Sequence, residues 1–258
     1  MGLAMSQKDE KAVSKVSAKI WRQTIEKFDK KIEAACLRRD AYLSRVLEVE
    51  LDFLDREICF VNSPDAQRFI ANRLDGIGER KLVSFALRPD LVVRMNEICE
   101  RKRIVRDSFL NRLLLLLAAN QKTIDKLFFT GSLSPENWRT LVWSKYQHDG
   151  PFFQNTLYPL EQEIDPLWPI RLGIELTDHS ELSDYTCPNT GEVIRVVQGI
   201  GEVNFLLKEG IYTTIFNDTN FAKVDMYGLN CYLPDWLLPG HEAEQKNRQM
   251  LDEIFGDM

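Results

Sequence analysis

Two ten-residue stretches of this chain are versions of each other: RRDAYLSRVL at 38–47 and VRDSFLNRLL at 105–114, sixty-seven positions apart. The likeness continues upstream without a gap. Val16 meets Val83, Ser17 meets Ser84, Ile25 meets Val92, Phe28 meets Met95 and Ile32 meets Cys99. Across 16–47 and 83–114, eight of thirty-two positions are identical and the apolar positions mostly hold. A duplicated unit constrains a fold strongly, because a segment too small to bury its own apolar face can be completed by its copy.

Each copy opens with an alternating segment. Val16, Ala18 and Ile20 fall on one face, with Lys15, Ser17 and Lys19 on the other. In the second copy Val83, Phe85 and Leu87 point inward, with Leu82, Ser84 and Ala86 outward. Period two over six residues predicts a half-buried strand. A helix follows in each, with Ile25, Phe28 and Ile32 or Val92, Met95 and Cys99 at three- and four-residue spacing. The second copy starts this helix on Pro89-Asp90, a proline suited to a first turn and an acid suited to the dipole. A second apolar helix then carries Leu43, Val46, Leu47, Leu51 and Leu54, or Leu110, Leu113, Leu114 and Leu117. A lone strand needs a partner. The expected solution is an intrachain pseudo-dimer, with the two strands paired antiparallel and four helices interleaved beneath. Residues 62–74 read as a capped connecting helix, Ser63 preceding Pro64 and Asp65, and DGIGE at 75–79 turns the chain into the second strand.

The strand–helix–helix order, the LRPDL strand exit (87–91) and the VRDSFLNR second-helix start (105–112) resemble the ribbon-helix-helix superfamily of the Arc and MetJ repressors. The resemblance covers residues 15–57 and 81–120, in a single-chain tandem arrangement. It implies that a two-stranded ribbon enters the major groove of double-stranded DNA. Lys15, Ser17, Lys19, Leu82, Ser84 and Ala86 would then be the outward readers. It also implies a phosphate at each second-helix N-terminus, beside Arg38, Arg39, Arg103 and Arg106. Three departures stand out. The turn between helices lacks its usual glycine in both copies, and the cap position usually held by Ser or Thr is Arg38 in one and Val105 in the other. The outward faces are also unequal: two lysines and a serine in copy one, but Leu82, Ser84 and Ala86 in copy two.

The net charge of −6 hides a split: residues 1–130 carry 25 Lys+Arg and 19 Asp+Glu (+6), and residues 131–258 carry 8 and 20 (−12). Basic surface concentrates polyanions and acidic surface repels them. The expected organisation is α+β throughout: a polar tail at 1–14, a tandem ribbon-helix-helix domain at 15–130 that folds by itself, and an acidic α+β domain at 131–258 with a small antiparallel sheet. In the acidic half, strand-like runs at 191–198, 202–208, 211–216 and 222–229 suggest a meander, a short helix is expected over 138–146, and an amphipathic helix closes the chain at 241–255.

Chemistry-bearing patterns are sparse. His179, Cys187, Cys231 and His241 lack the close pairs of a zinc site, and no phosphate loop, dinucleotide fingerprint or nucleophile elbow occurs. No catalytic residue, metal or cofactor is therefore expected. The longest apolar run, 113–119, is too short to span a bilayer, and the opening MGLAMSQKDEKAVSK has no apolar stretch of the signal-peptide kind. Five scattered cysteines suit the reducing cytoplasm. The leading expectation is a sequence-specific DNA-binding regulator, a repressor, with a C-terminal sensor or partner-binding domain for a protein or small molecule. The alternatives are an accessory DNA-binding protein of a mobile element, an adaptor of antitoxin type whose acidic half grips another protein, or an enzyme whose catalytic site lies in residues 131–258.

Overall fold

The computed structural model describes residues 13–129, 139–140, 142, 165–177, 182–186, 193–198, 205–207, 210–217 and 225–240. The first alternating segment is strand β1 (Ser14–Trp21) and the second is β2 (Arg80–Leu87). They pair antiparallel in a two-stranded sheet whose register sets Ser17 opposite Ser84, Lys15 opposite Ala86 and Lys19 opposite Leu82. Val16, Ala18, Ile20, Val83, Phe85 and Leu87 are buried beneath it, so the period-two reading of both strands gives the correct inward face.

Helices α1 (Arg22–Ala34) and α2 (Arg39–Glu57) follow β1, and α3 (Pro64–Asp75) leads to β2. After β2 come α4 (Pro89–Lys102), α5 (Arg106–Ala118) and α6 (Gln121–Phe128). Shifting β1, α1 and α2 by sixty-seven positions lands each on β2, α4 or α5. The packing crosses between copies: α1 lies on α5, and α2 on α4. Ion pairs zip the second contact. Arg88 meets Glu48 at 3.0 Å, Arg94 meets Asp52, and Arg101 meets Asp55 at 2.7 Å. The apolar stripes of all four helices enter one core, although Leu91 and Leu116 are more deeply buried than Val92 and Leu117.

Two local devices replace expected ones. The turn between the helices of each copy has no glycine, and a side chain takes the left-handed conformation instead: Cys36 (φ 56°) in the first copy and Arg103 (φ 51°) in the second. These are again equivalent positions, and each carries the steric cost of a left-handed L-residue. The connecting helix α3 is capped as its sequence suggests, Ser63 Oγ accepting from the Ala66 amide at 3.0 Å.

The acidic half contributes α7 (Trp168–Thr177) and an antiparallel three-stranded sheet of β3 (Leu182–Thr186), β4 (Val193–Gln198) and β5 (Phe205–Leu207). The architecture is thus mixed helix and antiparallel sheet, in keeping with α+β. The strands expected at 191–198 and 202–208 form in part, and β3 was not anticipated. Residues 211–216, expected as a strand, are a turn. Thr213 Oγ1 accepts from the Gly210 amide at 2.8 Å, and Thr214 Oγ1 donates to the Gly210 carbonyl at 2.6 Å. These local bonds bend the backbone and let Ile211, Tyr212 and Phe216 all turn inward. Residues 226–229, inside the run expected as a strand at 222–229, form a single 3₁₀ turn. That turn lies so close to α3 that a Cβ at Gly228 would sit 2.5 Å from Leu74 Cα, which only glycine avoids. Most of the helix expected over 138–146, the helix expected over 241–255 and residues 1–12 of the expected tail lie outside the described residues; 139, 140 and 142 are helical.

The core does not stop at the boundary expected between 130 and 131. Leu167, Ile170, Ile174, Ile211, Tyr212, Phe216, Met226, Leu229 and Cys231 join the cluster formed by the repeat. Among the described residues no helix is long and apolar enough to cross a membrane.

Candidate nucleic-acid interface

The outward face of the ribbon carries the six side chains singled out from the sequence. Lys15, Ser17, Lys19, Leu82 and Ser84 are exposed, Leu82 to 69%, and Ala86 is half-buried. The two serines meet across the middle, Oγ to Oγ at 2.9 Å. Each lysine faces an apolar residue of the other strand, Lys15 with Ala86 and Lys19 with Leu82. Among the described residues neither lysine has an ion-pair partner, and none of the six outward side chains is acidic.

Below the face, the repeated Arg-Asp pair shows why it is repeated. A two-stranded ribbon has two open edges whose amides and carbonyls need partners. Arg106, in the first turn of α5, donates to the Ser17 carbonyl at 3.0 Å, and Asp107 accepts from the Lys19 amide at 3.0 Å. In the other copy Arg39, in the first turn of α2, donates to the Ser84 carbonyl at 2.9 Å, and Asp40 accepts from the Ala86 amide at 2.9 Å. Every partner in one set lies sixty-seven positions from its counterpart in the other. The second helix of each copy therefore clasps the outer edge of the other copy's strand. Asn111 extends the clasp on β1 alone, accepting from the Trp21 amide at 2.7 Å and donating to the Lys19 carbonyl at 2.9 Å.

This geometry divides the four arginines expected at phosphates. Arg39 and Arg106 are engaged with ribbon carbonyls, and Arg39 also lies over the Phe85 ring at 5.1 Å. Arg38 is exposed at the start of α2, whose N-terminus has no side-chain cap; neither has that of α5. Arg103 is exposed at the left-handed end of α4 and donates to the Asn62 carbonyl at 3.3 Å. The two helix N-termini flank the ribbon with uncapped first turns, an arrangement that favours an anion.

Sequence reasoning missed what holds this module from behind. Arg112 of α5 is fully buried and donates to the carbonyls of Ile211 and Thr214 at 2.8 Å each, and of Leu229 at 3.3 Å. It also stacks on Phe216, 3.7 Å from the ring centroid. Burial lowers its guanidinium to about 10. The counterpart in copy one, Arg45, is exposed. The identity of these arginines in the repeat was visible; their opposite environments were not, because residues 211–216 and 229–230 close over Arg112 and leave Arg45 in solvent.

A second buried cluster ties α2 to the acidic half. Glu50 Oε2 accepts from Arg171 Nη2 at 2.6 Å and from the Tyr212 hydroxyl. Glu57 Oε2 accepts from the Tyr212 amide at 2.8 Å, and Arg171 also binds Asp165 at 2.7 Å. Burial raises the Glu50 carboxyl and pushes that of Glu57 up to about 7, against the pull of the Tyr212 amide and Arg171. All the hydrogen-bond partners named here come from this chain, as in a structural latch. Burial also pushes the thiols of Cys99 and Cys231 up to about 12, leaving neither a ready nucleophile. Among the described residues no three His, Cys, Asp or Glu side chains are placed to hold a metal ion; His179, Cys187 and His241 lie outside them. No known protein family, curated protein or solved structure matches this chain.

Proposed function

We propose that this chain binds double-stranded DNA through the outward face of its two-stranded ribbon, as a tandem ribbon-helix-helix protein in which the two copies form an intrachain pseudo-dimer. The observation that carries the reading is the ribbon itself. It has one exposed face bearing Lys15, Ser17, Lys19 and Ser84, and both edges are clasped by the starts of α2 and α5. A two-stranded ribbon fits the major groove of B-form DNA, and the clasp sets a helix N-terminus on each side, where backbone phosphates would run. The register supports the pseudo-dimer: Ser17 and Ser84 are equivalent in the repeat and also face each other, as residues on a two-fold axis must. Such a protein acts in the cytoplasm as a transcriptional repressor.

In this reading Arg38 and the amides of both helix starts meet phosphates. Arg39 and Arg106 brace the ribbon and reach DNA only indirectly. The unequal faces favour an asymmetric site under one chain.

The test is fluorescence anisotropy of the full chain on a selected duplex and on a random one. Affinity should fall steeply with salt, by roughly one unit of log–log slope for each phosphate neutralised. Replacing Lys15 and Lys19 by alanine should weaken the selected duplex by roughly 1–3 kcal/mol per lost base contact, and Leu82→Ala should cost less. A folded double variant with unchanged affinity for both duplexes would remove the ribbon from the interface and overturn the reading.

A further inference from the structure

A cavity of about 480 Å³ opens between α1, the junction of α5 and α6, and the 3₁₀ turn at 226–229. One wall is apolar: the Trp21 side chain at the ribbon exit, Leu115 of α5, and Met226 from the acidic half. Further along α1, Lys27 and Lys30 line the same space. We propose that this cavity binds a small aromatic anion, a flat ring carrying a phosphate or carboxylate, with the ring against Trp21 and the anionic group between Lys27 and Lys30.

Three observations carry the assignment. The volume lies in the range of small-molecule sites, which join apolar walls to a few convergent polar groups. An indole beside a thioether and a leucine gives a ring-shaped apolar surface, with the methionine adapting to its outline. The charge is unspent: among the described residues neither Lys27 nor Lys30 has an ion-pair partner. Glu26, one turn from Lys30, is already bound to Arg22 at 2.8 Å. Lys31, which also lines the cavity, donates to the Ala119 carbonyl at 2.9 Å and to Leu117, so it adds positive potential without being free to move. The first turn of α6 starts at the rim, where Asn120 Oδ1 holds the Thr123 amide at 3.0 Å. Its dipole adds to the same sign of potential.

An ordinary solvated lysine face would lack the enclosed apolar wall, and an ordinary apolar groove would lack two unpaired ammonium groups above it. The walls come from three distant parts of the sequence, so the cavity exists only in the full chain. This inference stands independently of DNA binding.

The test is calorimetric titration of the full chain with a matched set of probes: 1-naphthyl phosphate, 1-naphthoate, uncharged 1-naphthol, and inorganic phosphate. At least one ring-bearing anion should bind saturably, about tenfold or more tighter than either 1-naphthol or inorganic phosphate. The order of the first two identifies a phosphate or a carboxylate as the natural group. Lys27→Ala with Lys30→Ala should weaken that binding about tenfold or more with the melting temperature unchanged, and the paired arginine substitutions should retain it. Equal binding of 1-naphthol, equal binding of inorganic phosphate, no saturable binding, or an unaffected alanine variant would each overturn the proposal. So would a double-alanine variant that loses only duplex DNA, which would make the two lysines a backbone contact.

Discussion

Glu57 ends α2 with its carboxylate against the Tyr212 amide, and burial raises its titration from 4.5 to about 7. The folded chain therefore holds a proton that the unfolded chain releases between these values. For a carboxyl shifted upward, the linked stability is fully present below about pH 4.5 and is lost as pH rises through about 7. Glu50 is shifted the same way by burial, and Arg171 opposes both shifts. Urea denaturation at about pH 5 and about pH 8 should thus show a loss on going alkaline that is smaller in Glu57→Gln than in the wild type, the remainder belonging to Glu50. The expected difference is about 1–3 kcal/mol, since a tenfold change in proton affinity between the folded and unfolded chains corresponds to roughly 1.4 kcal/mol. Parallel pH profiles for the two proteins would mean that Glu57 stays ionised in the fold. Glu57 itself gave no sign of this in the sequence, where an acid near the end of an amphipathic helix reads as surface.

At the scale of elements, the ribbon depends on the helix starts that clasp its edges. Asp40→Ala leaves the half-buried Ala86 amide without its partner, and Asp107→Ala does the same to the more exposed Lys19 amide. An unmade bond to a buried donor costs about 1–3 kcal/mol, whereas water replaces a bond lost at the surface. Asn111 also holds β1 through Trp21 and Lys19, and no such clasp is present at the equivalent place on β2, where Ser44 bonds to its own helix at Asp40. Denaturation midpoints should therefore rank Asp40→Ala as the more damaging change. The reverse order would show that β2 is held mainly by its inward side chains. The strands, their inward faces, the capped connecting helix and the Arg-Asp signature were all readable in advance, because period two, capping chemistry and self-similarity are local properties. The bonds made by Arg39 and Arg106 were not, since a charged pair before a helix looks the same whether it meets a phosphate or a strand edge.

The whole molecule is knit across the charge boundary. Residues 210–217 and 225–230 pack on α5, supply the acceptors for Arg112 and bring Tyr212 to Glu50 and Glu57. A fragment ending at 130 would lose the acceptors of Arg112 to water and expose the apolar face of α5 that Ile211, Tyr212, Phe216 and Leu229 otherwise cover. It should melt well below the full chain, or associate, in a circular-dichroism scan at several concentrations. Arg112→Met in the full chain removes the charge while keeping much of the bulk, and it should destabilise less than the truncation. A fragment as stable as the parent would show that the repeat folds on its own, as its sequence suggests.

From the sequence alone came the duplicated strand–helix–helix unit, the antiparallel partnership of its strands and the six outward ribbon side chains. Periodicity and self-similarity depend only on residue order. Tertiary structure decided which of two identical arginines, Arg45 and Arg112, would be buried. It also decided that Ile211–Phe216 would turn rather than extend, and that Trp21, Lys27, Lys30 and Met226 would enclose one cavity. Those outcomes depend on contacts between segments far apart along the chain, and local pattern carries no record of which surfaces will meet.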